Sequence, residues 1–93
     1  MIGCKDDSGK RRWDLLPWRA VGTVVDVLTI GAAKYGDENW RHVGRPQERY
    51  FAAALRHLTA WVDDEDADPE TGLPHLAHAV CCVLFLLALD EDA

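Results

Sequence analysis

Ninety-three residues make one small domain, and a chain of this length buries only about 60–65% of its unfolded surface, so its stability rests on one core and on a partner. With 48% hydrophobic and 28% charged residues, seven Gly and four Pro, it lies outside the disordered and low-complexity classes. The net charge is −6, and residues 50–93 carry Arg56 as their one Lys or Arg against nine carboxylates, which argues against a sequence-independent grip on the nucleic-acid backbone.

The first segment, residues 1–12, has both signs of charge and no apolar stretch, so it reads as a mobile arm rather than a secretory signal. Residues 13–93 read as a single all-α domain. Its first helix is predicted to start near Pro17, which suits a first helical turn, and to end at Gly36. Trp18, Val21, Val25, Leu28, Ala32 and Tyr35 recur on one face of it.

A loop rich in Asp, Asn, Gly and Pro follows, from Asp37 to Pro46. The second helix is expected from about Gln47 to Val62, with Phe51, Leu55, Leu58 and Trp61/Val62 as its apolar stripe. Next comes an acidic loop, Asp63 to Gly72. Thr71 or Gly72 is expected to cap the third helix, with Pro74 in its first turn. From Leu76 to Leu89 that helix is apolar on nearly every face, the mark of a helix surrounded by others. Two companions are too few to surround it. A homo-oligomer is therefore expected, a dimer whose helices build a four-helix-like core.

The longest apolar run, Ala79 to Leu89, is short of the ~18–20 residues a bilayer span needs. Three cysteines, two adjacent at Cys81 and Cys82, have neither a disulfide framework nor CxxC spacing. No membrane partner and a reducing, cytoplasmic setting are the expectation.

Three clusters carry polar groups that folding alone does not require. Lys34, Tyr35, Asn39 and Trp40 join a cation, an amide and two aromatics at a helix end, a set suited to a phosphate and a base. They also suit a helix cap, with Trp40 folded back on the core. Arg56 and His57 lie beside the apolar stripe, with Ala53 and Ala60, on a face that can look into a cleft; a half-buried histidine bonded to a loop carbonyl is the plainer alternative. In the third cluster, Glu65, Asp66, Asp68 and Glu70 precede His75 and His78, which share one helix face. Carboxylates suit Mg²⁺ or Mn²⁺, and added imidazoles suit Zn²⁺, Fe²⁺ or Ni²⁺. The histidines equally well serve by bonding to the loop and holding it.

The order of these motifs resembles a family common in bacteriophage genomes. They run Lys10–Pro17 (KRRWDLLP), Gly31–Gly36 (GAAKYG) with Asn39-Trp40, Arg56-His57 with Trp61, Glu65-Asp66, Asp68–Gly72 (DPETG), His75–Ala79 (HLAHA) and the apolar run Cys81–Leu87. The family is the N-terminal domain of dATP/dGTP diphosphohydrolases, and the resemblance spans roughly residues 10–89.

It implies an all-α protein akin to MazG-like pyrophosphohydrolases, which bind Mg²⁺ through ExxE and ExxD motifs and attack a triphosphate with metal-activated water. This chain has no ExxE on its second helix, and its third has His75-Leu76-Ala77-His78 instead of ExxD. The implied metal ligands are thus Glu65, Asp66, Asp68 and Glu70 for Mg²⁺ or Mn²⁺, with no organic cofactor. His57, His75 and His78 would form the catalytic set. Lys34 and Arg56 would hold phosphates, Tyr35 or Trp40 would face the base, and Asn39 would complete the binding set. Three functions fit: hydrolysis of purine deoxynucleoside triphosphates in an infected bacterial host, sequestration of a nucleotide-derived defence signal without turnover, or an oligomeric helical module.

Overall fold

The structure is a computed structural model and describes residues 2–93. Three helices carry the chain: α1 (Trp18–Tyr35), α2 (Pro46–Val62) and α3 (His75–Glu91), with short 3-10 turns at Trp13–Leu15 and Asn39–His42. Among the described residues the sole β feature is an antiparallel bridge between Ala67 and Pro74. The architecture is all-α, as the 3.6-residue periodicity requires.

The prolines and glycines set the helix boundaries. Pro46 occupies the first turn of α2, where its missing N–H leaves no bond unmade. Pro17 and Pro74 stand one position earlier than expected, each just outside its helix. Gly36 ends α1 with φ +96°, a conformation that suits glycine, and donates its N–H to the Ala32 carbonyl at 2.8 Å. Thr71 and Gly72 do not cap α3; they belong to the loop before it.

α3 is the central helix. α2 packs along it, and α1 makes a lighter contact. The α1–α3 core is Val27, Ala77 and Cys81, with Val24, Leu28, Leu73 and Phe85 packed against it. Ala54, Ala79, Cys82 and His75 complete the buried set.

The helices turn differently from the expected stripes. α1 points Val24, Val27 and Leu28 inward and leaves Trp18, Val25 and Tyr35 exposed. α2 turns Tyr50, Ala53, Ala54, His57 and Ala60 inward, so that Phe51 is 58% exposed and Leu55 45%. The small residues win because they allow two helix backbones to approach closely. α3 is covered on only part of its surface, with Val80, Val83, Leu84 and Leu87 exposed. The radius of gyration, 16.5 Å, exceeds the roughly 12 Å of a compact domain of this length, and the exposed segment before α1 contributes to the difference. No helix is long and apolar enough to cross a membrane among the described residues.

Candidate active-site cleft

The open packing leaves a cleft of about 1330 Å³ between the C-terminal half of α1, the 39–42 turn, α2 and α3. Nine of the residues expected at a site line it: Lys34, Tyr35, Asn39, Trp40, Arg56, His57, Asp68, Glu70 and His78. Glu65, Asp66 and His75 do not. Thus residues from opposite ends of the chain converge.

One wall is cationic. Arg45, Arg49 and Arg56 lie along one side of α2 with Ala52 and Ala53 between them, and all line the cleft. Arg45 is paired with Glu48, whereas Arg49 donates only to the Gly44 carbonyl at 3.3 Å. Neither Arg49 nor Arg56 meets a carboxylate among the described residues. On the opposite wall the Lys34 ammonium pairs with Glu70 and lies 5.0 Å from the Tyr35 ring centroid, and the Glu70 bond holds its pKa above the ordinary lysine value. Arg45 and Arg49 escaped sequence reading as site residues, although their spacing from Arg56 by four and seven carries the signal.

The aromatic end is built from three elements. Trp40 stacks on Phe85 of α3 at 4.6 Å, and the Arg41 guanidinium covers Trp40 at 4.3 Å. Both neighbours are attractive to an indole face. Tyr50 of α2 donates from its hydroxyl to the Trp40 carbonyl at 2.8 Å. Trp40 therefore ties the 39–42 turn to α2 and α3, and Tyr35, 61% exposed, is the aromatic whose ring remains open.

The other end holds the histidines. His57 stacks on His78 with centroids 4.6 Å apart, and its Nδ1 lies 2.8 Å from the Nδ1 of His75. One of these two Nδ1 atoms must carry a proton and the other accept it. The acidic loop is folded against this end: Asp68 donates its N–H to the Leu73 carbonyl, and His75 donates its own to the Asp66 carbonyl, each at 2.8 Å. The Asp68 carboxylate accepts from the Glu70 and Thr71 N–H groups and from the Thr71 hydroxyl. With that hydroxyl donating to Asp68, His78 Nε2 at 2.7 Å donates to Thr71, and a chain of bonds links imidazole to carboxylate.

The electrostatics follow from this placement. Burial lowers the His57 pKa, and the charges of His78 and His75 lower it further. His78 is lowered by burial against the opposing pull of Asp68. Burial pushes Asp68 up, but the Thr71 N–H, His78 and the Thr71 hydroxyl outweigh it and leave the carboxyl below its usual range. These shifts favour the neutral imidazoles of His57 and His78 beside an ionised Asp68 carboxylate.

The four loop carboxylates do not gather at one point. Asp68 and Glu70 face the cleft, Glu65 reaches the Nε2 of His75 at 3.2 Å, and Asp66 contributes its carbonyl. The left-handed turn at Asp64, φ +67°, and the Ala67–Pro74 bridge send successive side chains to different sides.

A protein of Salmonella phage PMBT28 named "dATP/dGTP diphosphohydrolase" is 40% identical over 89 residues, which are 96% of this chain and 30% of that protein. The chain thus spans about a third of the relative's length. No solved structure matches it. The family described as "dATP/dGTP diphosphohydrolase, N-terminal" matches residues 2–93, and the chain belongs to that family.

Proposed function

We propose that the cleft binds a purine deoxynucleoside triphosphate and hydrolyses it. The observation that carries this reading is the opposition, within one cleft, of Arg49 and Arg56, which meet no carboxylate among the described residues, to the Asp68, His57 and His78 end. Guanidiniums suit phosphate oxygens. In this reading Arg49 and Arg56 hold the phosphates and Lys34 exchanges its bond with Glu70 for one to the nucleotide. Tyr35 and Asn39 meet the base, while Trp40 shapes that end from its stack.

Of the four loop carboxylates, Asp68 and Glu70 reach the cleft and would supply oxygens to Mg²⁺ or Mn²⁺, and such an ion, when bound, polarises a phosphate and acidifies water. His57 and His78 take and return the proton, His78 through the Thr71 hydroxyl. Glu65 and Asp66 stand outside this reading. In it, too, the exposed face of Phe51, Leu55 and Leu58 is covered by a second copy of the chain, which completes the core that one chain leaves open.

The sequestration reading draws on α2, whose one carboxylate, Glu48, leaves it without an ExxE pair. One experiment separates the two: the protein is incubated with dATP or dGTP and Mg²⁺ or Mn²⁺, and products and bound nucleotide are read by mass spectrometry. Multiple-turnover cleavage, lost on Asp68→Asn, supports hydrolysis. Intact nucleotide bound at fixed stoichiometry supports sequestration, and nucleotide neither bound nor cleaved sinks both.

A further inference from the structure

The histidine end of the cleft has a feature that phosphate chemistry alone does not explain. His75 is buried, its side chain only 5% exposed, yet its Nδ1 faces another imidazole nitrogen and its Nε2 has no hydrogen bond of acceptable geometry. Glu65 Oε1 lies 3.2 Å from that Nε2. Burying a polar ring so poorly matched costs stability unless something else uses its lone pair.

One ligand atom from each of His57, Asp68 and His75 lies within 4.8 Å of the others, and the two Nδ1 atoms are 2.8 Å apart. A tetrahedral zinc shell with bonds of about 2.0–2.1 Å places neighbouring ligand atoms roughly 3.4 Å apart, inside that span. The donor set is two imidazoles and one carboxylate. Such a set favours a transition ion over Mg²⁺, which takes oxygen ligands and gives up its waters reluctantly.

The surroundings have the form of a support shell. Metal-bound histidines usually pass their second N–H to a carboxylate, the position Glu65 holds behind His75. Asp68 is aimed by Thr71 and by its bonds from the Glu70 and Thr71 N–H groups.

We infer that His57, His75 and Asp68 bind one transition-metal ion of the zinc class at the floor of the cleft, with Glu65 positioning His75. The ion binds whether or not the chain turns a nucleotide over. The inference rests on the functional reading and revises it: the ion is imidazole-bound rather than Mg²⁺ on loop carboxylates, His57 is a ligand, and His78 alone is left to move the proton.

The test uses the full chain without nucleotide. Metal-free protein is titrated with Co²⁺ and followed by its visible absorption, then challenged with Zn²⁺ and, separately, with Mg²⁺. The expected result is saturation near one equivalent, displacement by Zn²⁺ and no displacement by Mg²⁺. His57→Gln and His75→Gln abolish the Co²⁺ bands. Glu65→Gln weakens binding by about tenfold, whereas Asp66→Asn, its neighbour in the loop, leaves it unchanged. Circular dichroism reports whether each variant is folded; if His75→Gln is not, half-buried His57→Gln decides. Absence of saturable Co²⁺ binding, equal competition by Mg²⁺, or bands that survive in folded His57→Gln overturns the inference. Because no nucleotide is present, Co²⁺ binding without dATP cleavage defeats the hydrolytic reading alone, and Mg²⁺-driven cleavage without Co²⁺ binding defeats the ion site alone.

Discussion

The two faces of α2 reverse the usual division of labour. Its inner face, Tyr50, Ala53, Ala54, His57 and Ala60, is small or polar and packs within the chain, while its outer face carries Phe51, Leu55, Leu58 and Val62 and is exposed. Small side chains bring α2 close to α3 and leave unfilled volume beside them, and that volume is the cleft. The large side chains on the outer face leave apolar area that only another molecule can cover. The lesson is that an apolar stripe does not by itself identify the face a helix packs against its own chain.

This contrast is open to a sharp stability test. Ala54→Leu forces bulk into the tight inner face and is expected to cost about 1–3 kcal/mol, seen as a fall of several degrees in the melting temperature. Leu55→Ala, one position along and half-exposed, is expected to cost less at low protein concentration. A larger loss from Leu55→Ala would mean that the outer face is the better packed of the two.

Self-association tests the outer face directly. In sedimentation, the unaltered chain is expected to run as a dimer or larger, and Leu55→Glu with Leu58→Glu to run as a monomer with α-helical circular dichroism retained. A native chain that is monomeric at all concentrations would remove the second copy from the reading.

Next comes the cationic wall. Arg56→Ala is expected to weaken dATP binding about tenfold in calorimetry, the scale of one charge-assisted bond. Phe51→Ala on the outer face should leave that affinity unchanged. Equal losses from both would dissolve the distinction between the faces.

The smallest effect concerns pH. His57 and His78 titrate below the ordinary 6.5 because burial, and then neighbouring imidazole charge, disfavour their protonated forms. As the pH falls, the unfolded chain takes up these protons first. Their contribution to stability is therefore complete above about pH 6.5 and is lost as the pH falls through the folded-state values. Denaturant midpoints between pH 7.5 and 5 should decline, and His57→Gln should flatten that decline. An identical slope in His57→Gln would show that other groups set it.

Much of this molecule was legible along the chain. Spacings of three and four residues, with Pro17, Gly36, Pro46 and Pro74 at the breaks, determine three helices and their ends to within a residue or two, because backbone sterics act locally. The pairing of His75 and His78 with the acidic loop was also local, since that loop runs directly into α3. The rotation of α2 was not. Periodicity reports that α2 has a large apolar face and a small one, but nothing local says which faces α3, so the stripe Phe51, Leu55 and Leu58 carries no rotation with it.

The sequence by itself determined the all-α class, the helix boundaries to within a residue or two, and the family. Tertiary structure alone decided that Arg45 and Arg49 share a wall with Arg56, that Trp40 has its ring stacked on Phe85, and that the four loop carboxylates part company. It also decided that His57 meets His75 across 18 residues. Such convergence depends on how closely two helices approach and how each is turned about its axis, and these quantities belong to the packed chain as a whole rather than to any stretch of it.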